Sequence, residues 1–233
     1  MIHQGARVPR RPAPPGGADD APPPSSDDLA FERLVFFSDA VFAIAITLLV
    51  IEVRLPALPA DATEADVIAG IRATLPQIFA YVLSFATIGL YWLAHWRRFR
   101  YIVHVDSRLV AYNLVLLGFI AFIPFPTAVL GEHGDLVPAV VLYAVVLSAA
   151  GVVGPLTWLY AWRAGLAAPG LTDRYALLSA ARGFSVPVVM LGSLLFLPVV
   201  GTTGVEVLWL LIAPVQMVLN RVVRISRADT ATP

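Results

Sequence analysis

Apolar residues in this chain come in long unbroken blocks, not in alternation with polar ones. Six blocks, at 34–53, 77–95, 109–130, 137–162, 176–199 and 205–223, are long enough to cross a hydrocarbon core of about 30 Å, which takes about 20 helical residues. In lipid only helices and closed barrels satisfy every backbone group. Barrel strands alternate apolar and polar positions, and these blocks do not. The pattern predicts an all-α, polytopic membrane protein with six transmembrane helices per subunit.

The connections carry their own signals. The longest, 54–76, holds Thr63 followed by Asp66, a capping-box spacing, with Val67, Ile71 and Leu75 four apart; a short interfacial helix is expected there. The connections at 131–136 and 201–204 are tight, so each should join antiparallel neighbours. Prolines recur in the later spans at Pro124, Pro126, Pro155, Pro187, Pro198 and Pro214, each removing a backbone donor. Trp92, Trp96, Trp158 and Trp162 fall near one set of helix ends, as an interfacial aromatic belt does.

Charge orients the bundle. All 16 basic residues are arginine. Fourteen of them lie in the two terminal segments and the second-to-third and fourth-to-fifth connections; only Arg54 and Arg72 lie opposite. The positive-inside rule then places both termini in the cytoplasm of a multi-pass protein of the cell (inner) membrane. Hydrophobic residues make up 58% of the chain and mean hydropathy is +0.78. Cysteine is absent, which removes disulfides and thiolate metal sites. Net charge is zero, with no basic surface for nucleic acid. Residues 1–28 are Pro-, Gly- and Asp-rich and are expected to form a disordered cytosolic tail. Residues 29–226 form the transmembrane domain, and 227–233 a short cytosolic C-terminal tail.

The first span raises a specific question. Ser38 and Asp39 sit near its head, and 13 of the 14 residues after Asp39 cannot ionise. As a cap Asp39 leaves a helix of about 21 Å, too short to cross. Asp28 is the better cap and gives about 38 Å. Asp39 then lies inside the helix, where a carboxylate costs up to about 2.5–3.5 kcal/mol at mid-membrane and less near the interface, so it needs a partner. Arg33 points elsewhere, about 240° round the helix. The expected donor is on another helix, among the arginines and histidines of "HWRRFRYIVHVDSR" or Asn113, and Arg33 should find its own acceptor. Ser38–Asp39 is read as an architectural clamp rather than a transport site. About 140° from Asp39 runs an aliphatic stripe, Ile44, Leu48 and Ile51, with Thr47 beside it. By itself such a stripe reads as core or lipid face. The four histidines form no catalytic pairing at a shared depth, so no enzyme and no cofactor are expected.

Arg33-x-x-x-Phe37-Ser38-Asp39 followed by "AVFAIAITLLVIEV" resembles the signature of the transmembrane protein 175 family of potassium-permeable channels. "YWLAHWRRFRYI" with Asp106, Asn113 and "FIPFPTAVLG" resembles the family's second and third helices. The resemblance covers residues 29–131 in motif and the remainder in layout. It implies a bacterial single-repeat channel that assembles as a homotetramer, with first helices around a central pore. On that resemblance Ile44, Leu48 and Ile51 are constricting positions forming a hydrophobic gate and Thr47 is a selectivity layer. Arg33, Phe37, Ser38 and Asp39 pack the helix, with His95, Asp106 and Asn113 as possible motif partners. The implied activity is passive conduction of potassium, weakly preferred over sodium, with no metal beyond transient potassium. The lipid bilayer and other copies of the chain are its partners. A secondary cation or proton transporter is the alternative; paired broken helices in matching halves, which such transporters carry, are not evident.

Overall fold

The structure, a computed structural model, describes residues 26–228. Residues 1–25 of the expected N-terminal tail and 229–233 of the C-terminal one lie outside the described part. The described residues are helical, apart from turns and one backbone bridge between Ile102 and Ala167. In chain order they form α1 (Ser26–Leu48), a 3₁₀ turn (Leu49–Glu52), α2 (Glu64–Ala73), α3 (Leu75–Phe99), α4 (Ser107–Phe122) and α5 (Pro124–His133). They continue as α6 (Val137–Arg163), α7 (Asp173–Gly183), α8 (Ser185–Leu194), α9 (Leu197–Trp209) and α10 (Ile212–Ala228). Five units are long and apolar enough to cross a membrane: Leu29–Glu52, Leu75–Phe99, Ser107–His133, Val137–Arg163 and Asp173–Leu194. A sixth is the pair α9–α10, bent by 46°.

Proline decides where the later spans break. Pro124 opens α5, Pro187 lies in the first turn of α8, Pro198 in that of α9 and Pro214 in that of α10. A first turn has no intrahelical acceptor for the missing donor, so these sites tolerate the ring. Only Pro155 stands inside a helix. The last two spans therefore depart from the expected blocks. The fifth stops at Leu194, and the stretch expected to complete it turns into α9.

The expected tight turn at 201–204 falls within α9. Gly201 has φ 69° and ψ −176° and breaks the helix there, a conformation open chiefly to glycine. The end of α9 is fastened back to α8: Trp209 Nε1 donates to Ser193 Oγ at 2.8 Å.

In the connection between α1 and α3 the capping box is present, with Thr63 and Asp66 bonded reciprocally. The Thr63 hydroxyl and backbone N–H hold the Asp66 carboxyl below the usual carboxylate range. The α1 end is tied to α3 by Arg54 N–H donating to Gln77 Oε1 at 2.8 Å. At the opposite end of the bundle the α3–α4 and α6–α7 connections meet: Val103 N–H donates to the Leu166 carbonyl at 2.9 Å and Ala168 N–H to that of Tyr101 at 2.7 Å. Arg100 lies in the first and Arg163 and Arg174 flank the second, the grouping that the charge pattern assigns to one face.

The core has two parts. The larger joins Phe42, Leu49, Ile88, Ile120, Tyr143 and Trp209, and the smaller, at the inner end, joins Leu34, Phe99, Leu109 and Trp158. Trp158 is 1% exposed and donates to the Ala176 carbonyl at 3.0 Å, so it is a core residue and no part of an interfacial belt.

α3 and α5 approach closely at Gly131, where a Cβ would lie 2.9 Å from Gln77 Cα. Backbone cannot swing aside as a side chain can. Gly131→Ala is expected to destabilise the bundle by about 1–3 kcal/mol, read as earlier denaturant unfolding in detergent. Unchanged unfolding would mean the two helices separate freely.

Candidate functional site

α1 is two-faced. Leu34, Ser38, Phe42, Ala45 and Leu49 are buried, in steps of three and four, and this face packs on α3 and α4. On the other side Phe37, Ile44, Leu48 and Ile51 are 49%, 57%, 41% and 55% exposed. The aliphatic stripe and the clamp thus point in different directions, as the helical wheel requires. The α-helix ends at Leu48 and tightens into the 3₁₀ turn. Three steps of about 120° then eclipse Ile51 on Leu48, which keeps the stripe straight at its outer end.

Ser38 is fully buried and anchors a directional chain of hydrogen bonds. Its hydroxyl donates to the Leu34 carbonyl one turn back at 2.7 Å. Its oxygen accepts from Asn113 Nδ2 at 2.9 Å. The amide oxygen of Asn113 can only accept, so His95 Nε2–H donates to it at 3.0 Å. The His95 ring stacks on Phe99 with centroids 3.9 Å apart and meets Phe42 at 5.6 Å. Three helices, α1, α3 and α4, meet in this chain, and each of these polar groups is used. Buried polar groups need that, because an unpaired one costs about 1–3 kcal/mol.

Asp39 has a different partner from those expected. Trp92 Nε1 donates to its Oδ1 at 2.8 Å. The carboxylate is half-buried, at the edge of the α1–α3 contact, and an indole N–H reaches it where arginine and histidine do not. Trp92 lies three residues before His95, so the two share a face of α3. That spacing was the available signal, and the belt reading of Trp92 hid it.

Asp106 is not part of this clamp. It caps α4, accepting from Leu109 N–H at 2.7 Å, and also accepts from the Tyr160 hydroxyl of α6. Those bonds hold its carboxyl below the usual range. As the residue ahead of α4 it is about 10 Å along the axis from Asn113, out of reach of Ser38. Arg33 is exposed, with no hydrogen bond or ion pair of its side chain among the described residues. Phe37 is likewise half exposed, on the stripe side.

The stripe has its own chemistry. The Thr47 hydroxyl donates to the Ile44 carbonyl at 2.9 Å. Its proton is committed to the backbone, and its exposed oxygen is left as an acceptor. Above it, Glu52 lies 3.9 Å from the Arg54 guanidinium, which offsets its charge at the outer end. Among the described residues no group of three or more His, Cys, Asp or Glu side chains could hold a metal ion.

The sequence model of the family described as "Endosomal/lysosomal potassium channel TMEM175" matches residues 33–124. A potassium channel of Chamaesiphon minutus is 34% identical over 146 residues, 61% of this chain and 71% of that protein. The chain belongs to the TMEM175 family. The crystal structure of a lysosomal potassium-selective channel TMEM175 homolog from the same organism superposes with a TM-score of 0.66 at 28% identity. It covers 82% of this chain and 99% of that one. A potassium channel of Streptomyces collinus is 41% identical over 105 residues, 43% of this chain, and the match spans about half, 48%, of that relative. The human member, named a proton channel, is 35% identical over 104 residues, 42% of this chain and 20% of its own length. TMEM175 is a family of ion channels, not of enzymes. The matched stretch holds the whole of the Ser38–Asn113–His95 chain, Asp39 and Trp92.

If the clamp fixes α1, its two halves should differ in cost. Ser38→Ala leaves the buried Asn113 amide short of an acceptor and should lower stability by about 1–3 kcal/mol. Trp92→Phe should cost less, because Asp39 is half exposed and water can replace the indole. Denaturant unfolding of both variants checks this, and Ser38→Ala as stable as the parent chain contradicts it.

Proposed function

We propose that this chain forms a passive potassium channel, weakly selective over sodium, as a homotetramer with α1 around a central pore. One observation carries the reading: the stripe Ile44–Leu48–Ile51, with Thr47 beside it, is uncovered among the described residues, while the other face of α1 is fastened. A straight apolar stripe with one free hydroxyl acceptor is suited to facing its symmetry copies. A closed ring is the common solution for identical subunits. Four copies of Ile44 then narrow the path to an aliphatic ring that empties of water when tight, the physics of a hydrophobic gate. Thr47 oxygens, their protons turned inward, offer dipoles to a dehydrating cation. The bacterial relatives are named potassium channels, and a passive channel fits that name better than a carrier.

The arginine distribution supports a reading with both termini in the cytoplasm and the protein in the inner membrane, and the pairing of the α3–α4 and α6–α7 connections agrees with one arginine-rich face. The names of the animal relatives favour a second reading, proton permeation along the same path.

Purified protein in a planar bilayer separates the readings. Unitary steps with reversal potentials that follow the potassium gradient support the channel; reversal that follows only the pH gradient selects protons. Slow, saturable flux without unitary steps indicates a carrier. Ile44→Asn should raise conductance by wetting the ring, and Thr47→Ala should lower preference for potassium over sodium. Unchanged currents in both variants would remove these residues from the path.

A further inference from the structure

Arginines from the last turns of α3 and α7 meet Asn220 of α10. Arg97 and Arg182 both donate to a single acceptor, Asn220 Oδ1, at 3.0 and 2.7 Å. Arg100 stands at the rim, its guanidinium 5.0 Å from the centre of the Trp96 ring. These residues line a cleft of about 290 Å³. Behind it Arg98 is 5% exposed, with one nitrogen 3.2 Å from the Ser179 carbonyl and a buried Nε that has no partner.

Among the described residues no carboxylate forms an ion pair with these charges. The ion pairs among the described residues are Arg54–Glu52 and His133–Glu132, both elsewhere. Arg182 acts on Arg98 and Arg97 acts on Arg182 as like charges, and Tyr175 acts on both in the opposite sense. Arg182 is only 6% exposed, so water cannot solvate it as it does a surface arginine. Buried like charges repel and have lost hydration, and one neutral amide shared by two guanidinium groups offsets little of that.

We propose that the cleft binds a phosphate group, held by Arg97 and Arg182 from inside and Arg100 from the rim. Guanidinium forks match phosphate oxygens two at a time, and the cleft has room for the group. Basic pockets between transmembrane helices on the cytoplasmic side take phospholipid headgroups. Trp96, 44% exposed beside Arg100, suits the headgroup level. The phosphate can come from a lipid diester or from solution. Asn220, which accepts from both arginines, would keep them parallel until the anion arrives. Its arrival joins α3, α7 and α10 through one charge.

Native mass spectrometry of the full chain, titrated with phosphatidylglycerol or phosphatidylcholine, tests the lipid source. Thermal unfolding in potassium phosphate against potassium chloride at equal ionic strength tests the free anion. Preferential retention of phosphatidylglycerol, falling about tenfold in Arg97→Gln/Arg100→Gln, assigns a lipid. Phosphate-specific stabilisation that the same variant loses assigns a soluble phosphate. That variant spares the buried Arg182, and its elution in gel filtration reports folding. Should it not fold, the comparisons on the parent chain decide alone. No lipid preference together with no phosphate effect overturns the proposal. Conduction is not read, so either result leaves the channel proposal as it stands.

Discussion

The rotation of α1 about its own axis is set by the buried hydrogen-bond chain from His95 through Asn113 to Ser38 and the Leu34 carbonyl. Apolar packing alone leaves an apolar helix free to turn, since lipid and core are about equally welcome to Ile and Leu. A polar group in hydrocarbon is not so free. Ser38 has to meet Asn113, and that fixes which side of α1 faces α3 and α4. Asp39 and Trp92 add a second point of attachment at the edge of the contact. With one side held, Ile44, Leu48 and Ile51 are committed to the other. The conductive proposal is a consequence of that commitment, and the two faces cannot be altered independently.

The rest of the bundle serves the same constraint at a distance. α3 and α4 must stand still for Asn113 and His95 to be in place. α3 is held against α5 at Gly131 and α4 against α6 by the Asp106–Tyr160 bond. The break before Pro187 and the bent last span lie away from α1, whereas the break before Pro124 borders a cleft shared with Leu48 and Ile51. The stripe itself meets one irregularity, the 3₁₀ turn that carries Ile51. The arginine cleft closes the far side, where α10 meets α3 and α7.

Much of this was legible in the chain because membrane solvent is demanding. Long apolar runs, the Thr63–Asp66 spacing, the tight connection after Gly131 and the placement of arginines each follow from a strong penalty, and each is present in the fold or agrees with it. The stripe and its opposition to Asp39 followed from 100° per residue. Side-chain choice among several donors did not. Asp39 had arginine, histidine and asparagine on offer, and took Trp92, because distance and depth at a helix contact are not written in spacing along one helix. Trp158 looked like its neighbours Trp92 and Trp96 and is buried. Asp106 stood near Asn113 in sequence but is a helix cap. The last two spans were misdrawn because proline in a first turn and proline in mid-helix read alike until the helix starts are known.

The orientation of α1 can be measured directly, since the chain has no native cysteine. Ile44→Cys and Asp39→Cys, each alone, are oxidised in membranes and run on a denaturing gel. If the clamp turns the stripe toward the symmetry axis, Ile44→Cys gives cross-linked subunits and Asp39→Cys does not. Cross-linking at position 39 with none at 44 would place the acid on the axis and the stripe in lipid, contradicting the assignment of both faces.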